Sequence, residues 1–131
     1  MCNAPERYLC WRFEDEEEEE AHKLSYTPDS RRPNGGQFVL NKEDHTLGNL
    51  IRIQLLRDNK VRFAGYKVPH PLVTEAHVKV ETMDSKTSPI AVFETALTDL
   101  QMEINTMEQQ FKRQLSELEQ LCNLASYLQR E

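Results

Sequence analysis

The groups able to do chemistry in this 131-residue chain gather at one point, where Glu43, Asp44 and His45 stand consecutively ahead of Thr46. An imidazole beside a carboxylate is the material of general acid–base catalysis, and two neighbouring carboxylates can divide acid and base roles. Their spacing argues against both uses. Such groups must converge on one reacting atom inside a pocket, and consecutive residues at a helix start do not. Asp44 instead suits a cap that accepts hydrogen bonds from the free amides of a helix beginning near His45, with His45 fixing the helix entry or meeting a neighbouring chain. Metal chemistry is excluded on the same kind of ground. His22, His45, His70 and His77 make no HExxH, and Cys2, Cys10 and Cys122 make no CxxC. Neither a metal nor another cofactor is expected, and no enzyme site.

The elements that position these residues follow from hydrophobic spacing. After Asp44, Leu47, Leu50, Ile51 and Leu55 fall on one helical face, while Ile53 and Leu56 point roughly the other way. A surface helix on a small sheet needs a single apolar stripe, so the second implies another body on the far side. Gly48 supports this, because glycine inside a helix costs about 1 kcal/mol relative to alanine and is tolerated where something approaches the backbone. The helix is predicted to stop near Asp58 and Asn59, with Asn59 suited to the left-handed conformation that ends helices.

Residues 23–27 and 37–41 alternate as strands around a turn-rich stretch, Pro33-Asn34-Gly35-Gly36. A third strand sets Val61, Phe63, Gly65 and Lys67 against Arg62, Ala64, Tyr66 and Val68, and Pro69-His70-Pro71 ends it. Ala76, Val78, Val80 and Thr82 mark a fourth strand, antiparallel to the third. From Ser88, with Pro89 at the first helical position, one pattern runs almost to the chain end. Phe93, Leu97, Leu100, Ile104, Met107 and Phe111 form a heptad stripe, and Leu115, Leu118, Cys122, Ala125 and Leu128 resume it after one extra residue, a stutter. About 40 residues at 1.5 Å each give a helix of roughly 60 Å. The expected class is α+β: a small antiparallel sheet of about four strands, one short helix and a long C-terminal dimerisation helix.

Composition bounds what such a chain can do. Hydrophobic residues are 38% and charged residues 29%, the balance of a globular protein, and no apolar run is long enough to span a bilayer. The formal charge is −6, but residues 14–20 are all acidic, and without those seven the charge is +1. The body therefore has no basic field for nucleic acid, and no direct nucleic-acid or membrane partner is expected. Three widely spaced cysteines, and a start that lacks the basic flank and apolar core of a signal peptide, favour a reducing intracellular compartment. Residues 1–22 divide into an aromatic docking segment and an acidic loop, and residues 23–131 form the domain with its long helix, about 88–129. Without the acidic region and the long helix, about 60 residues remain, a size at which a single core is marginal. The overlong helix, the two-faced helix and the undersized sheet all call for an obligate partner.

The run Asn41-Lys42-Glu43-Asp44-His45-Thr46-Leu47-Gly48-Asn49-Leu50-Ile51, with Gln54-Leu55-Leu56, Val61, Phe63-Ala64 and Tyr66-Lys67-Val68-Pro69-His70-Pro71-Leu72, closely resembles the smaller alpha-like subunits of RNA polymerases. It is most similar to the polymerase II form, whose start Asn3-Ala4-Pro5 also resembles. Looser likeness extends to archaeal subunit L and to the bacterial alpha N-terminal domain. The alternative form, shared by polymerases I and III, also carries an EDHTLGN block followed by a Gly-Tyr, as Gly65-Tyr66 does here.

The resemblance implies a nuclear, non-catalytic subunit that forms an obligate heterodimer with the larger alpha-like subunit. That pair is the platform on which the largest and second-largest polymerase subunits assemble for transcription. It further implies a partner interface drawn from Asp44, His45, Leu47, Gly48, Leu50, Ile51 and Leu55 on the short helix and Leu97, Leu100, Ile104, Met107 and Phe111 on the long one. A stand-alone coiled-coil adaptor would explain the long helix but leave the sheet and the DHTLGN helix without a purpose.

Overall fold

The computed structural model describes residues 22–128, with side chains as far as Asn123. The docking segment, the acidic run, Cys2 and Cys10 lie outside the described residues, as do the side chains of Ala125 and Leu128. Six elements follow in order: β1 (Leu24–Pro28), β2 (Gly35–Asn41), α1 (His45–Arg57), β3 (Val61–Lys67), β4 (Glu75–Thr82) and α2 (Pro89–Leu128). They fall into two compact units, one ending at Ala96 and one beginning at Leu97, with α2 contributing to both.

In the first unit the strands form one antiparallel sheet in the order β1-β2-β4-β3. Strand β4 lies between β2 and β3, which α1 connects, so the unit contains a split βαβ. Register sets Phe38 opposite Val78, Leu40 opposite Ala76, and Ala64 opposite Val80, and all six are buried on one face. That face receives Ile51 and Leu55 of α1 and the first two turns of α2, where the Phe93 ring stacks on Phe38 at 4.0 Å between centroids. Ser88 starts α2 by accepting the Ile90 amide on its hydroxyl, and the Thr82 hydroxyl lies 3.0 and 2.9 Å from the Asp84 and Thr87 carbonyls, tying β4 to that start. The opposite face is polar, as a one-sided antiparallel sheet allows. It carries Gln37, Glu75, His77, Lys79 and Glu81, and the Glu81 carboxylate is held between Arg32 and Arg62.

Two local expectations give way. Strand β3 does not alternate throughout, because Val61 pairs with Thr82 and Phe63 with Glu81, leaving Arg62 as the extra residue of a bulge. Val61 therefore points inward with Ala64, while Phe63 turns to the polar face. Helix α1 ends without a left-handed Asn59. Asp58, in extended backbone, donates its amide to the Leu55 carbonyl, and among the described residues the single non-glycine with positive φ is Lys42, at 61°.

Candidate partner interface

The DHTLGN segment folds against the chain's own sheet. Asp44 is extended (φ −121°, ψ −165°), and its Oδ1 accepts the Thr46 amide at 2.8 Å, the capping role expected of it. One turn on, an added Cβ at Gly48 would meet Tyr66 Cδ2 at 2.7 Å, so only glycine lets the tyrosine ring lie against the helix. His45 reaches the same side chain: its Nδ1 is 3.2 Å from the Tyr66 hydroxyl, and the rings meet edge-on at 5.7 Å. Asp44 secures the helix start, and His45 and Gly48 together clamp Tyr66. The close approach expected at Gly48 is thus made by β3 of the same unit rather than by a second chain. Sequence spacing gave no sign of Tyr66, because it lies 18 residues away on another element.

As chemistry, this arrangement holds structure in place. His45 faces a phenol, and the Asp44 oxygen is taken by the backbone. Among the described residues no group of three or more His, Cys, Asp or Glu side chains could hold a metal ion. The polar face of the sheet has its own electrostatics. Lys79 donates to Asp29 Oδ2 at 2.8 Å, and this bond, with the Arg31 amide, holds the Asp29 carboxyl below its ordinary value.

The apolar residues of α1 divide by face. Ile51 and Leu55 are 1% and 0% exposed and have no surface left for another chain, and Leu47 is half-buried. Leu50 does not join them. It stands 40% exposed beside Ile53, one turn further along, and Leu56 is exposed too. The residues left to a partner on this helix are therefore Leu50, Ile53 and Leu56, although Ile53 and Leu56 are absent from the expected interface. The i, i+3, i+6 spacing from Leu50 was the available signal.

In the second unit Leu100 is buried, while Leu97, Ile104, Met107 and Phe111 are exposed. Counted over the described residues, 17 large apolar side chains are exposed against 13 apolar residues in the core. Scattered exposed leucines are ordinary, but a row of them along a helix, as each unit has, is the mark of surface used for interaction.

A sheet with helices on one face and apolar residues left exposed on those helices defines an α+β domain with apolar surface available to another chain. The chain belongs to the RNA polymerase Rpb3/Rpb11 dimerisation domain family, whose model matches residues 36–110. A Caenorhabditis briggsae protein named as a probable DNA-directed RNA polymerase II subunit RPB11 is 46% identical over 66% of this chain and 70% of its own length. The Dictyostelium discoideum DNA-directed RNA polymerase II subunit rpb11 is 35% identical over 86% of this chain and 90% of its own. In structure, DNA-directed RNA polymerase subunit L of Thermoplasma acidophilum matches with a TM-score of 0.61 and 20% identity, covering 75% of this chain and 95% of that one, which bears on the fold alone. The Caenorhabditis and Dictyostelium relatives are named as polymerase II subunits, and the form shared by polymerases I and III is not favoured.

Proposed function

We propose that this chain is the smaller alpha-like subunit of RNA polymerase II, a nuclear assembly subunit without an active centre of its own. It pairs with the larger alpha-like subunit, and the pair carries the two largest subunits. One observation supports the pairing above the others: Leu50, Ile53 and Leu56 on α1 and Ile104, Met107 and Phe111 on α2 remain exposed while the small core is already filled. Membership of a polymerase subunit dimerisation family supports another polymerase subunit as the partner for these residues. Residues 23–131 act as the dimerisation domain, and residues 1–22 as a docking segment with an acidic loop.

Within the interface, Asp44, His45 and Gly48 act indirectly by seating α1 on Tyr66, and Ile51 and Leu55 by anchoring it. Leu50 and the long-helix residues make the contact. Co-expression with the larger alpha-like subunit should give a soluble one-to-one complex by size-exclusion chromatography and native mass spectrometry. Stable folding alone with no binding to that subunit would refute the reading, and a homodimer indifferent to it would favour the coiled-coil adaptor.

A further inference from the structure

The polar face of the sheet is layered by charge. Glu81 and Asp29 lie beneath, their side chains 10% and 18% exposed, while the cations that hold them, Arg32, Arg62 and Lys79, stand above at 58%, 67% and 48%. Arg31 adds a fourth cation on the same turn as Asp29, and among the described residues its guanidinium has no carboxylate partner. Four cations over two carboxylates leave two positive charges unmatched, and the groups that meet solvent are the positive ones. Beside Lys79 a cleft of about 320 Å³ is bordered by the hydroxyl residues Thr27 and Ser30 and by Gln37. Such donors suit further carboxylates, whose two oxygens accept from a guanidinium in pairs.

One segment of the chain has the matching charge. Residues 14–20 are seven consecutive acids, and Ala21 alone separates them from His22, where the described residues start. Strand register gives the distance to be covered. Glu81 pairs with Gly35, five residues along β2 from Leu40, which faces Leu24. That is roughly 17 Å along the sheet and about 10 Å across two strands, or about 20 Å in all. Residues 14–21 extend to roughly 26 Å, so the run can turn back over the face and set its first half against Arg31, Arg32 and Arg62. We propose that the acidic run docks on this cationic face of its own chain and covers it against other acidic segments. Tethering favours this occupant over a separate polypeptide, because so short a connection holds the run at an effective concentration on the order of millimolar. The contact lies opposite α1 and the first turns of α2, so it is independent of the heterodimer reading above.

Carbodiimide joins a carboxylate directly to an amine in contact with it, and mass spectrometry reads which lysine is joined. In the full-length chain residues 14–20 should link to Lys79, with a yield that falls as salt screens the contact. Arg31→Glu/Arg62→Glu, two exposed positions whose effect on the fold circular dichroism checks, should weaken that link several-fold while the link to Lys23, close in sequence, persists. Mixing isotope-labelled and unlabelled chains separates links within one molecule from links between two. A Lys79 link that is absent from the wild type, or unchanged in the arginine variant, would overturn the docking. Links formed only between labelled and unlabelled copies would make the occupant a second chain and overturn it equally. A peptide of residues 14–20 should also bind a variant with Glu14→Gln, Asp15→Asn and the same change to Gln at residues 16–20 several-fold more tightly than it binds the wild type. Equal peptide binding by the two proteins would refute the covering.

Discussion

Gly48 shows how far single residues could be interpreted in advance. Its place inside a helix signalled a close approach, but the approaching group, Tyr66, depends on tertiary contact that local spacing does not encode. Asp44 was legible for the opposite reason, since a cap acts within two residues of itself. Helix propensity alone would make Gly48→Ala stabilising by about 1 kcal/mol. The Tyr66 ring reverses the sign, because the new methyl displaces a side chain also held by His45, and overpacking of this kind costs about 1–3 kcal/mol. Chemical denaturation should show Gly48→Ala as destabilising in the wild-type background and neutral or better when combined with Tyr66→Leu; equal effects in both backgrounds would remove Tyr66 from the account. Asp29 supplies a pH-dependent counterpart. Its folded pKa lies below the ordinary value, chiefly through the Lys79 hydrogen bond, so its stabilising contribution is complete above that ordinary value. It is lost as pH falls through the lowered folded value. Lys79→Met should move the Asp29 carboxyl titration, followed by NMR, up toward the ordinary range, and an unmoved midpoint would contradict the assigned cause.

Among the elements, order and type were legible because alternation and helical spacing are local signals and Pro89 marks a helix start by itself. The departures occur where two patterns coincide. Val61 and Phe63 satisfy a period of two as well as any strand, and only pairing with β4 reveals Arg62 as the extra residue. Leu50 sits near the edge of the apolar arc of α1, and the angle at which the helix meets the sheet decides its side. The start of α2 depends on one contact more than any other, the Phe38–Phe93 stack at 4.0 Å with rings inclined by 13°. Removing that ring leaves a cavity against a sheet already short of core. Phe93→Ala should therefore cost about 3–5 kcal/mol by denaturation, whereas Ile90→Ala, at an exposed position of the same turn, should cost under about 1 kcal/mol. Similar losses at the two sites would mean that α2 does not use Phe93 to seat itself.

For the molecule as a whole, the ratio of exposed to buried apolar residues carries a consequence that a self-sufficient domain would not share. If Leu50 and Ile53 exist to meet a second chain, they are a liability while that chain is absent, because exposed apolar rows drive self-association. Leu50→Asp with Ile53→Asp should then act in opposite directions on two measurements. The lone chain should become more soluble and more monodisperse by light scattering, with little change in unfolding because both side chains already face solvent. Binding to the larger alpha-like subunit should fall by at least about tenfold, since the same carboxylates would now be buried without partners. A core substitution such as Leu55→Asp cannot imitate this, because it would lower stability, solubility and binding together. If the double variant gains solubility and still binds as the wild type does, the outward row of α1 is ordinary surface, and the partner must be held by α2 alone.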